Sequence, residues 1–153
     1  TGYLLPEKCE TVRLNSQTVN EERLRPDEIV IVARGNLTGK AARALEGGTA
    51  KSVVPNSSLI RLKVNTENVD PTYLVHSIMT DRVQSLMSRY KSQFSPPRIR
   101  QKDLEGVKVT MVPKPLQLEF SQRLQELQPL LRRQHQSIHL IEELEHSILD
   151  QFR

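Results

Sequence analysis

The chain has 153 residues, enough for one ordinary domain or for a smaller domain carrying an extended element. Its hydrophobic fraction of 37% and mean hydropathy of −0.48 are low for one compact core yet too patterned for disorder, and a long solvated helix would reconcile the two. The single cysteine, Cys9, excludes an internal disulfide framework and a cysteine-based metal site. No run approaches ~18 apolar residues and no signal-like pattern opens the chain, so neither secretion nor membrane insertion is indicated and a cytoplasmic location is expected.

The net charge of +4 is spread unevenly. Residues 1–116 hold 18 Lys/Arg against 12 Asp/Glu, a net of +6, whereas residues 117–153 hold 4 against 6, a net of −2. The basic character belongs to the globular part, as expected of a domain that faces a polyanion.

In chain order, residues 1–27 are weakly patterned, with a short strand predicted over 10–14 and turn formers up to Pro26-Asp27. Glu28–Ala33 is a β-branched apolar run and reads as a buried strand, as does Ser58–Val64. Between them lies a flexible basic loop containing Arg34-Gly35-Asn36-Leu37-Thr38-Gly39-Lys40 and Gly47-Gly48. From Val30 to Lys63 there are six Arg/Lys against the one acid Glu46.

Asp70-Pro71 predicts a helix start, because the carboxylate accepts from free N–H groups and proline suits the first helical position. Tyr73, Leu74, Ile78, Val83, Leu86, Met87 and Tyr90 follow at helical spacing, and Thr80-Asp81 divides the stretch into two short helices. Pro96-Pro97 then breaks the chain within a second basic loop, Lys91–Arg100. Gln101–Leu104 predicts a helical turn, and the alternation of Gly106–Val112 predicts a strand.

Pro113 and Pro115 close the globular part. From Leu116 to about Phe152 a helix of roughly 55 Å is predicted, at 1.5 Å per residue, with a kink or restart at Pro129. Its stripe of Leu124, Leu127, Leu131, Ile138, Ile141, Leu144 and Ile148 calls for a second helix to cover it. The expected architecture is therefore α+β: a small mixed, β-rich domain over 1–115 and a long C-terminal, coiled-coil-like helix over 116–153.

Catalytic signatures are weak. Gly35 and Gly39-Lys40 are one residue too close for a phosphate-binding nucleotide loop, and Ala41 stands where a magnesium-binding hydroxyl is needed. His135 and His139 are one helical turn apart, but Gln136 replaces the glutamate of the zinc-protease pattern, so no metal is expected. No nucleophile elbow or Cys/His pairing is marked. Aromatic residues are few, and only Tyr90 and Phe94 lie near a basic loop. Duplex DNA therefore suits the chain better than single strands, which are usually gripped by stacking.

The order of these features resembles a known family. It runs from a strand ending Arg34-Gly35 with a later Gly39, through Leu59-Ile60-Arg61-Leu62 and Asp70-Pro71-Thr72-Tyr73-Leu74, to Lys102-Asp103-Leu104 with Val107 and Val109. Val112-Pro113-Lys114-Pro115-Leu116-Gln117-Leu118 then enters the long helix. Across about residues 24–153 the chain resembles the target-recognition domain and adjoining conserved helix of type I restriction-modification specificity subunits.

The resemblance implies a non-catalytic module that reads half of a split duplex DNA sequence through loops. It also implies a helix that pairs as a spacer, in self-association or within a longer chain. The implied partners are methyltransferase subunits or domains, with an endonuclease, and S-adenosylmethionine would be held there rather than in this chain. Complete specificity subunits have two such domains and two such helices, and this chain has one of each. A half subunit, a fragment or the tail of a fused enzyme are the possibilities, the last two favoured by the weak opening.

Candidate DNA contacts are Arg34, Asn36, Thr38, Lys40, Arg43 and Lys51 in the first loop, and Lys91, Gln93, Arg98 and Arg100 in the second. Arginine would read guanine and Asn or Gln adenine, with lysine on phosphates. The alternative is a helix-mediated assembly protein whose basic surface binds an acidic partner.

Overall fold

The computed structural model describes residues 23–44, 53–93 and 95–130. Cys9, the strand predicted over 10–14, Gly47-Gly48, Lys51, Phe94, His135, His139 and the other helix positions from Leu131 onward lie outside the described residues. The chain divides into two compact units between Gln117 and Leu118.

The first unit is a small mixed α+β fold around a three-stranded antiparallel sheet. Its strands are β1 (Ile29–Val32), β2 (Ala41–Arg43) and β3 (Leu59–Leu62), in the order β2-β1-β3. Ile29 pairs with both Arg43 and Leu62, and Val30 with both Ala42 and Arg61. The uninterrupted apolar β1 is the central strand, where both faces are covered and alternation is not required. Ile29 and Ile31 point to one face, where the helices pack; Val30 and Arg61 share the other.

Helices α1 (Pro71–Ile78) and α2 (Asp81–Ser88) cover that first face. Helix α1 begins where the sequence predicts. The Asp70 carboxylate accepts from the Tyr73 N–H at 2.8 Å, with Pro71 in the first turn. The division at Thr80 is also present: Thr80 precedes α2 in extended conformation, and its hydroxyl donates back to the Ser77 carbonyl at 2.7 Å. Val75, Ile78, Val83 and Met87 meet Ile29, Ile31, Ala41 and Ile99 in one apolar cluster. Burying each large member stabilises the fold by about 1.5–3 kcal/mol.

Two expectations are corrected. Strand β2 lies in the stretch read as loop: Ala-Ala-Arg has little β propensity, and its pairing is imposed by the hairpin from β1. Gly106–Val112, read as a strand, joins no ladder. Val107 and Val109 pack against the core while Lys108 and Thr110 are exposed, so the alternation encodes a half-buried segment and not a paired strand. The turn predicted over 101–104 is the short helix α3 (Gln101–Leu104).

Helix α4 spans residues 114–130, starting two residues earlier than predicted and continuing through Pro129. Its first turn is fastened within the first unit. Buried Gln117 accepts from the Asp70 N–H at 2.8 Å and donates to the Val112 carbonyl at 2.7 Å, while the Lys114 ammonium donates to the Thr66 carbonyl at 2.8 Å. In the second unit Glu119 and Arg123 form a helical ion pair at 2.6 Å.

Candidate nucleic-acid interface

The first basic loop leaves β1 at Ala33 and returns to β2 through a glycine bulge. Gly39 donates to the Val32 carbonyl at 2.8 Å, and Val32 donates to the Lys40 carbonyl at 2.9 Å, so two residues oppose one. Such a bulge needs a left-handed first residue, and Gly39 has φ of +91°. At the tip, Thr38 N–H donates to the Gly35 carbonyl at 3.0 Å, closing a tight turn that exposes Asn36 and Leu37.

The second loop is stitched onto the first. Gly35 donates to the Pro97 carbonyl at 3.1 Å and Ile99 donates to the Ala33 carbonyl at 2.9 Å, which sets Arg34 directly opposite Arg98 in an isolated antiparallel bridge. Ala33 and Ile99 are buried, whereas Arg34 and Arg98 are exposed, so both arginines emerge on the outward face. The loop between them is itself closed. Ser92 donates from its backbone to the Arg98 carbonyl at 2.8 Å, and its hydroxyl accepts from the Arg98 N–H at 3.0 Å.

Two further side chains brace this junction. The buried Thr38 hydroxyl lies 2.6 Å from the Gly35 carbonyl and 3.0 Å from the Pro97 carbonyl, sharing one proton between them. Gln84 of α2 donates its two amide hydrogens to the carbonyls of Gly39 at 2.9 Å and Ile78 at 3.0 Å. Of the basic loop expected to be flexible, the described turn over residues 35–39 is thus held by β1, by the second loop and by α2.

Of the residues singled out from sequence, Arg34, Asn36, Lys40, Gln93 and Arg98 have exposed side chains on these two loops. Lys91 is half-buried, its amine end lying over Gly39. Thr38 is interior. Arg43 lies at the opposite end of the hairpin, across from Ile29, where its guanidinium is held by the Asp27 carboxylate and the Thr72 hydroxyl. Arg100 faces its own helix start: Nε and Nη2 donate to the Asp103 carboxylate at 2.9 and 3.1 Å. That hydrogen bond lowers the Asp103 pKa from its ordinary 3.8 and raises that of Arg100.

Among the described residues the ion pairs engage Arg43, Arg100 and Arg123, and none engages Arg34, Lys40, Lys91 or Arg98. Sequence reasoning missed Gln84, since a glutamine on a helix carries no mark of its non-local partner. It also missed Leu37, an apolar side chain 64% exposed beside Asn36, whose position at a loop tip becomes visible only with the turn. No group of three metal-ligating side chains and no helix long and apolar enough to cross a membrane occurs among the described residues. No protein-family model matches the chain, and no curated protein gives a significant match.

Proposed function

We propose that this chain is a sequence-specific reader of duplex DNA, the target-recognition module of a type I restriction-modification specificity polypeptide. In this reading it is non-catalytic and directs a methyltransferase and endonuclease to a site. The observation that carries the reading is the union of two basic loops, distant in sequence, by the Arg34–Arg98 bridge on one outward face. Braced loops carrying Arg34, Asn36, Lys40, Gln93 and Arg98 supply both kinds of contact that DNA reading needs. Cations meet phosphates, and planar side-chain amides meet base edges.

Selection from random duplexes by the full chain tests this directly. Enrichment of a defined half-site is expected, and recovery of no sequence preference overturns it. Arg43→Ala serves as a control: with its guanidinium engaged by Asp27 and Thr72, it should weaken the fold without altering the selected sequence.

A second reading, a helix-mediated assembly protein with a basic surface, is favoured by one observation. Helix α4 exposes Leu118, Phe120, Leu127 and Leu130. Strong self-association with weak, sequence-independent DNA binding would support that reading over the first.

A further inference from the structure

The geometry points to Arg34 and Arg98 acting as one unit, a two-guanidinium clamp that takes a single phosphate group. Resting on the DNA reading above, it assigns this pair to the phosphodiester backbone and leaves base recognition to the neighbouring Asn36 and Gln93.

The two arginines occupy a non-hydrogen-bonded antiparallel pair, flanked by the Gly35–Pro97 and Ile99–Ala33 bonds. In such a pair the Cα atoms are about 4.5 Å apart and the side chains leave the same face together. Like charges placed so close disfavour the fold, and among the described residues no carboxylate pairs with either. The arrangement is held by backbone bonds and by the Thr38 hydroxyl, not by the arginines themselves. A ligand that compensates the pair must bring a full negative charge and several acceptor oxygens between two planar forks. A phosphate does so; a base edge, with partial charges alone, does not.

The clamp can be tested without DNA. In the full, isotope-labelled chain, the Nε–H resonances of Arg34 and Arg98 are followed as inorganic phosphate is added at low salt. Both should shift along one saturating curve, and Arg34→Gln should abolish the response of Arg98. Independent or non-saturating shifts overturn the clamp.

With a duplex as probe, Arg34→Gln or Arg98→Gln should each lower affinity roughly tenfold or more for every sequence alike, and the slope of log affinity against log salt should fall by about one. The double variant should lose little beyond either single one. Additive losses, or losses confined to some sequences, overturn the proposal. Thermal stability of both variants should be unchanged or higher, since a repulsion is removed; a marked fall would show that the arginines serve the fold. Saturable phosphate binding by the pair with no duplex binding at all would keep the clamp and sink the DNA reading.

Discussion

The hydroxyl of Thr38 reaches the carbonyl of Pro97 at 3.0 Å and fastens the first basic loop to the second. Both ends of this contact are backbone-fixed: Thr38 sits in the turn closed by Gly35, and Pro97 accepts from the Gly35 N–H at 3.1 Å. The spacing between the two sets of cations is therefore held by these backbone bonds together with one buried side chain that carries no charge.

Thr38→Val keeps the shape and removes the proton. Losing a buried donor from two carbonyls should cost about 1–3 kcal/mol in denaturant unfolding. Thr38→Ser, which keeps the hydroxyl, should cost clearly less. If the two variants unfold alike, the hydrogen bond is not what holds the junction.

Gln84 offers a sharper test, because its amide donates to two carbonyls at once. Gln84→Glu places an acceptor-only carboxylate against the Gly39 and Ile78 carbonyls, and about 2 kcal/mol of stability should be lost at neutral pH. Acid should restore part of it. The protonated carboxyl can donate, so the folded state raises this pKa and binds the proton more tightly than the unfolded chain; relative stability then rises as pH falls through the raised value. A penalty that does not depend on pH would contradict this.

Gly39 and Gly35 both have positive φ, +91° and +107°, but differ in surroundings. A Cβ at Gly39 would lie 3.3 Å from Cε of Lys91, whereas one at Gly35 meets open space. Alanine at either position should cost about 1–2 kcal/mol for the left-handed backbone. Gly39→Ala should additionally displace Lys91, visible as a shift in its side-chain resonances, and should melt below Gly35→Ala.

Burial lowers the pKa of the α1 histidine, His76, from its ordinary 6.5. Between that lowered value and 6.5 the unfolded chain holds more protons than the folded one, so stability should fall as pH falls through this window and level off below it. Titration by NMR should give His76 a value under 6.5, and His76→Gln should remove the corresponding slope from the pH–stability profile. A value at or above 6.5 would show that burial does not govern this group.

Local chemistry made several elements legible in advance. Ile29–Val32 reads as a buried strand because four consecutive β-branched residues suit no half-exposed element. Asp70-Pro71 marks a helix start because capping and the proline ring act within one turn. The break at Thr80 and the short helix at 101–104 are equally local.

What was misread turned on partners supplied from elsewhere. Strand β2 exists because β1 offers it hydrogen bonds across a glycine bulge, and Ala41–Arg43 carries no signal of that. Gly106–Val112 alternates as a strand would, yet no ladder receives it.

The candidate face divides in the same way. Sequence by itself determined that two basic stretches flank a helix pair opened by Asp70-Pro71, since charge and proline placement are properties of the residues in order. Only the tertiary structure decided which cations stand together. The Arg34–Arg98 bridge sets those two side by side on the outward face, Arg43 is drawn to Asp27 at the far end of the hairpin, and Arg100 is paired to Asp103. The reason is physical: backbone pairing across distant segments sets which side chains share a face, and nearby carboxylates set which charges are left for a ligand.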